Sequence, residues 1–230
     1  RGFLYPRYSV QRGHPVIIFG PPYKVELPPE QIHFITGLTV NTINPYTFTP
    51  DSGFPYTAFA GAFFQTEIDN VVPATGDYTF SVSDPALSVS NTGVVTFNSE
   101  PSGSEIVITI TPADGSAAFM YTCMPGLWFA QPTTTVYNLA NAEAYILSSM
   151  PGFRPCTQEE LSGLDAVGTL YGEWSKASSY PGGLYPGRVW CGKGATAGTG
   201  RQLDLESGAL YQIAEGNISG RVLGVKILTA

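Results

Sequence analysis

Between Val25 and Phe153 the chain has no lysine or arginine, although eleven Asp and Glu residues fall in that stretch. A segment so short of positive charge repels phosphate backbones and anionic headgroups. Nucleic-acid binding and electrostatic attachment to a membrane are therefore excluded as its task. Histidine is scarce too, with His14 and His33 alone, both far upstream of the C-terminal half, and no G-x-S-x-G elbow occurs. Ser-His-Asp and Cys-His hydrolase arrangements lose their base, and no catalytic residue is assigned. Three cysteines, none in C-x-x-C spacing, and two dispersed histidines do not make a zinc site. No metal and no cofactor is expected. No apolar run approaches the eighteen or so residues of a membrane span, so this chain inserts in no membrane through a helix.

What is abundant points to turn-rich β structure. There are 26 Gly, 19 Pro, 13 Tyr and 13 Phe, and charged residues make up only 13%. Charge is also segmented. Residues 1–24 carry Arg1, Arg7, Arg12 and Lys24 without an acid, and residues 154–230 carry seven charges of each sign. The chain begins at Arg1 without a methionine and is read as a soluble part of a longer protein.

From Tyr23 to Cys123 short strand patterns alternate with turn residues. The strands are TAFAGAFF (57–64), DYTFSV (77–82), VVTF (94–97), IVITIT (106–111) and AFMYT (118–122), and the separators are SDPA, SNTG, SEPSGS and PADGS. This spacing predicts an all-β sandwich, with Ile106, Ile108 and Ile110 on the core face of its last long strand. After Trp128 the period changes. NLANAEAYILSSM (138–150) predicts an amphipathic helix capped by Asn138, with Leu139, Ala142, Ile146 and Ser149 or Met150 inward, stopped by Pro151-Gly152. Thr157 and Glu160 then form a capping box for a second helix, with Cys156 and Leu161 placed as its hydrophobic staple. RVW (188–190), RQLDL (201–205), ALYQI (209–213) and RVLGVKIL (221–228) complete a small antiparallel sheet, so this half is α+β. The glycine-rich run CGKGATAGTGR (191–201) lacks the phosphate-loop pattern and is read as a flexible surface loop.

Cys156 has two readings. One is a thiolate stabilised by a helix start. The other is a disulfide with Cys191 that closes a loop of about 35 residues and stabilises by roughly 3–4 kcal/mol on the chain-entropy model. With no histidine nearby to act as base, the Cys156–Cys191 bridge is favoured. Tyr171, Trp174, Tyr180, Leu184, Tyr185 and Arg188, in or beside YGEWSKASSYPGGLYPGR (171–188), are the candidate ligand-binding residues, because rigid aromatics among small polar residues suit a protein-binding surface. The competing reading is that Trp174 and one or two of the tyrosines pack under their own loop.

Taken together, SGFPYTAFAGAFF (52–64), DYTFSVSDPALSVSNTGVVTF (77–97) and IVITITPADGSAAFMYT (106–122) resemble the bacterial immunoglobulin-like domain of intimin and invasin-type adhesins. LWFAQ (127–131), YNLANAEAYI (137–146), GFRPCTQEELSGL (152–164), GRVWCGKG (187–194) and RQLDLESGAL (201–210) resemble the C-type lectin-like domain that follows it. Arg154, Thr157, Glu160 and Leu161 match the family's G-x-R-L-P-T-x-x-E-L signature. The usual cysteine pair is missing, with Ile146 and the Val225–Leu228 region in its places. No lectin calcium tripeptide is present either, so calcium-dependent sugar binding is not implied.

The resemblance implies residues 1–22 as an approach from a preceding domain, 23–123 as an immunoglobulin-like sandwich and 124–230 as a lectin-like domain. It implies the tip of an outer-membrane-anchored adhesin on a Gram-negative surface, a virulence factor that binds a host receptor or secreted host protein as a monomer and without catalysis. A structural spacer, a self-association module and a calcium-independent glycan binder are the alternatives. The short apolar junction Cys123–Trp128 predicts a fixed angle between the halves, and the basic residues of 1–24 are expected to dock on the acidic sandwich.

Overall fold

The structure, a computed structural model, describes residues 7–11, 14–19, 23–25, 32–40, 45–163 and 167–229, and for the three strands before Ile32 the backbone alone. The chain divides into two compact units, Arg1–Ile32 and His33–Ala230. In the first, β1 (Arg7–Gln11), β2 (His14–Phe19) and β3 (Tyr23–Val25) form an antiparallel meander. The expected docking of Arg1, Arg7, Arg12 and Lys24 concerns side chains outside the described residues.

The second unit opens with β4 (Ile35–Val40), β5 (Tyr46–Phe48), β6 (Thr57–Phe59), β7 (Phe63–Ile68), β8 (Tyr78–Val82), β9 (Leu87–Val89), β10 (Val94–Phe97), β11 (Ile106–Pro112) and β12 (Phe119–Cys123). Five of these form an antiparallel sheet in the order β5-β4-β7-β10-β9, and three form another in the order β12-β11-β8. Strict alternation decides which faces meet. Ile106, Ile108 and Ile110 are fully buried while Val107, Thr109 and Thr111 are not, and β7 buries Phe64, Thr66 and Ile68 in the same way. Each such isoleucine contributes about 1.5–3 kcal/mol by leaving water.

Beyond Cys123 come β13 (Leu127–Ala130), β14 (Val136–Tyr137), α1 (Leu139–Ser149), β15 (Arg154–Pro155), α2 (Gln158–Leu161), α3 (Leu170–Trp174), β16 (Arg188–Lys193), β17 (Thr199–Asp204), β18 (Leu210–Ala214), β19 (Gly220–Arg221) and β20 (Gly224–Ile227). The Asn138 side chain accepts the Asn141 amide at 2.9 Å, which caps α1 as its sequence demands. The helix lays Leu139, Ala142 and Ile146 against Trp190 and Val222, with Met150 closing the cluster. The second expected helix is a single turn, α2, and its capping box is formed, with Glu160 accepting the Thr157 amide at 2.9 Å. The glycine-rich run is the end of β16, a turn and the start of β17.

The sheets here are mixed where antiparallel ones were expected. β16 pairs with β19 in parallel, in the order β14-β19-β16-β17-β18, and the other sheet runs β15-β20-β13-β6. Its edge strand β6 belongs to the N-terminal half in sequence and lies parallel to β13, with Thr57, Ala58 and Phe59 opposite Leu127, Trp128 and Phe129. The segments expected at 1–22, 23–123 and 124–230 thus compare with two units, the second of which carries one core through residues on both sides of Cys123.

Candidate functional site

Two regions of the second unit carry unusual chemistry: the seam where β6 joins the C-terminal sheet, and the surface beyond it. At the seam, Thr169 caps α3 by accepting the Gly172 amide at 3.3 Å, and the helix turns Glu173 and Trp174 inward. The Glu173 carboxylate is fully buried. It accepts the Tyr56 and Thr57 amides, each at 2.7 Å, the Gly168 amide at 3.2 Å and the Thr57 hydroxyl. Burial pushes this carboxyl up to about 7, and the donors around it oppose the shift. Trp174 Nε1 donates to the Thr57 carbonyl at 3.0 Å, while the indole packs with Phe54, Phe59, Phe97 and Tyr180. The Cys123–Trp128 junction is tied as well, since the Gly126 and Leu127 amides both donate to the Tyr56 carbonyl, at 2.8 and 3.1 Å.

The three cysteines are free and buried, which corrects the expected Cys156–Cys191 disulfide. The Cys156 thiol donates instead to the Trp190 carbonyl at 3.4 Å, spending itself on the backbone just before Cys191. Burial pushes Cys191 and Cys123 up to about 12 and Cys156 well above its ordinary value, so none is a thiolate nucleophile at neutral pH. Cys156 acts with Leu161 as packing at the start of α2. Arg154 forks onto Glu160, with Nη1 to Oε2 at 3.0 Å and Nη2 to Oε1, so the residues of the signature pin β15 to α2.

The aromatic segment 171–188 divides between inside and outside. Trp174, Tyr180 and Leu184 are buried, the first two at 1% exposure, because the segment folds down over β6 and its rings fill the seam. Tyr171 is half-buried and its hydroxyl donates to the Glu206 carbonyl at 3.3 Å. Glu206 also takes the Ser178 amide and hydroxyl, each at 2.7 Å. Tyr185 remains 43% exposed, its amide held by Gln131 Oε1 at 2.8 Å. It borders a groove of about 280 Å³ lined by Ala130, Gln131, Pro132 and Gly183 among others. Arg188 lies over the ring of Tyr211, 5.2 Å from its centroid. Tyr211 and its neighbour Leu210 are 40% and 45% exposed on β18, the edge of its sheet.

Sequence reasoning missed Glu173, Leu210 and Tyr211. The acid among aromatics in YGEW was a signal for the first. The other two read simply as strand, since strand periodicity does not tell an edge from a centre.

In sequence and in fold this mostly-β chain with little helix is similar to the invasin and intimin adhesins. Residues 36–123 match the family model for invasin, domain 4. The inverse autotransporter adhesin YeeJ of Escherichia coli (strain K12) is 32% identical over 142 residues, 58% of this chain and 6% of that protein. Invasin of Yersinia enterocolitica is 28% identical over 176 residues, 70% of this chain and 20% of that protein. The chain therefore spans a small part of both curated relatives. The crystal structure of invasin, a bacterial integrin-binding protein, superposes with a TM-score of 0.75 at 26% identity, covering 89% of this chain and 41% of that one. Intimin in its complex with Tir90 shares the fold at 16% identity and a TM-score of 0.54, over 84% of this chain and all of that one. The chain is a relative of the invasin and intimin adhesins, and its place is the bacterial cell surface, in the extracellular passenger region.

Proposed function

We propose that the chain is the tip of a surface adhesin that binds a host protein without catalysis, through a lectin-like module at 124–230 mounted on an immunoglobulin-like sandwich. The observation that carries this reading is the contrast between a braced seam and an exposed aromatic surface beyond it. Glu173, Trp174 and β6 hold the C-terminal half in one orientation, so Tyr185, Arg188, Leu210 and Tyr211 are presented with little ordering left to do on binding. Aromatics and arginine are the side chains that most often anchor protein interfaces. One relative supports a host protein as partner, since invasin is an integrin-binding protein; intimin, which shares the fold, is held in complex with another protein, the translocated intimin receptor.

The test immobilises the 230-residue chain and measures saturable binding to host cell membranes and secretions. Replacing Tyr185 and Tyr211 by alanine together is expected to weaken binding at least about tenfold, since anchor residues cost more than about 1 kcal/mol each, with an unchanged thermal midpoint. Undiminished binding by that variant overturns the assignment of the surface. Retention on glycans alone, or association only with further copies of the chain, overturns the host-protein reading.

A further inference from the structure

His33 stands where the second compact unit begins, and both of its ring nitrogens face carboxylates. Nδ1 lies 2.5 Å from Asp69 Oδ2 and Nε2 lies 2.9 Å from Asp114 Oδ2. Asp69 sits in the turn after β7 and Asp114 in the turn between β11 and β12, so the ring joins the entering chain to a turn of each sheet. A neutral imidazole has one N–H, and its other nitrogen would set a lone pair against a carboxylate; only the imidazolium donates to both. The surroundings reinforce that demand. No lysine or arginine exists between Val25 and Phe153, which leaves His33 as the one side chain in that stretch able to carry positive charge, against eleven acids. Its side chain is only 8% exposed. Tyr78 of β8 meets the ring edge-on, with centroids 5.7 Å apart and its hydroxyl 3.4 Å from Nδ1, and Asp77 lines the same cavity.

We propose that His33, Asp69 and Asp114 form a proton-dependent clasp that fastens the start of β4 to both sheets in mildly acidic surroundings and loosens in alkaline ones.

The backbone takes part in the same knot. The Asp69 amide donates to the Phe34 carbonyl at 3.1 Å and the Phe34 amide to Asp69 Oδ1 at 3.3 Å, so the carboxylate that holds the ring also holds the chain. Asp114 is aimed by the Ser116 amide, which donates to its other oxygen at 2.8 Å. Hydrogen bonds from Asp69 and then Asp114 raise the His33 pKa above its ordinary 6.5. That contribution is complete below 6.5 and lost as pH rises through the raised value. The His33 hydrogen bond first, then those of Ser116, lower Asp114 from 3.8 to about 2, and this contribution is complete above 3.8 and lost as pH falls towards 2. The clasp is therefore at full strength between 3.8 and 6.5.

The experiment is proton NMR of the 230-residue chain across pH 4–9 on the parent and on His33→Gln and Asp114→Asn, the His33 resonance being the one that His33→Gln removes. The expected result is a His33 titration above 6.5 in the parent that moves down in Asp114→Asn. Protection of the Phe34 and Asp69 amides should fall about tenfold per unit of His33 shift between pH 5.5 and 8.5 in the parent and stay level in His33→Gln. Glu173 also releases a proton in this range, so the local amides of parent and variant are compared rather than global midpoints alone. A His33 titration at or below 6.5, or the same pH-dependence of protection with and without the imidazole, overturns the clasp. Asp69→Asn supplies an independent measure should His33→Gln fail to fold.

Discussion

Glu173 is the residue on which the seam depends most. Four donors converge on its two oxygens, so glutamine in its place turns an NH₂ group towards groups that themselves donate. Glu173→Gln is expected to cost about 1–3 kcal/mol, read as a fall in the denaturation midpoint at pH 7. The parent has a pH signature of its own. Because the folded carboxyl is raised above its ordinary value, this residue's contribution to stability declines as pH climbs from 4.5 to about 7, and the Gln variant should lack that slope. A variant as stable as the parent would show that the seam does not rest on this carboxylate. At this scale the sequence was only partly legible. Arg154, Thr157, Glu160 and Leu161 were readable because their interactions are local, within an eight-residue stretch. Glu173 was not, because its partners Tyr56 and Thr57 lie more than a hundred residues away, and no periodicity encodes that distance.

Among the elements, the turn after β6 and the 180s loop approach so closely that both need glycine. A Cβ on Gly183 would stand 2.9 Å from the Phe59 ring and 3.0 Å from the Tyr180 carbonyl, and one on Gly61, where φ is +91°, would stand 3.1 Å from Gly183. Gly183→Val is expected to destabilise by about 1–3 kcal/mol through overpacking, measured by thermal unfolding, while Gly216→Ala, at a position with open space around its Cβ, serves as the neutral control. Equal midpoints for the two would overturn the packing argument. Element types were the most legible level: α1 and its cap, β11 with its alternating isoleucines and the β17–β18 hairpin all follow from spacing and turn chemistry. What escaped was the partner of β6. TAFAGAFF reads as one long strand, yet it bends at Ala60-Gly61 and gives its first part to one sheet and its second to another. The disulfide reading failed for a related reason: spacing shows that two cysteines can meet, not what else their sulfurs find, and Cys156 finds a carbonyl.

For the whole molecule, the consequence is that the C-terminal half borrows from the N-terminal one. Residues 124–230 expressed alone lack β6, the Tyr56 and Thr57 donors to Glu173 and the rings of Phe54 and Phe59. That fragment is expected to expose the seam, bind a hydrophobic dye and unfold at a lower midpoint than residues 33–230. Independent folding of 124–230 at the parental midpoint would overturn the interdependence. The likeness to the adhesins was legible at this scale through the order of motifs, since short strand patterns followed by α+β patterns follow the order of that family. The surface was less so, because residues in one loop went to opposite sides of the backbone, Trp174 inward and Tyr185 outward.

Both ends of β6 return to the N-terminal half, to Phe54 on one side and to β7 on the other. A strand secured at both ends cannot be unzipped one bond at a time. Load that crosses the seam of the second unit therefore falls on the β6–β13 ladder together with the two connections that flank β6.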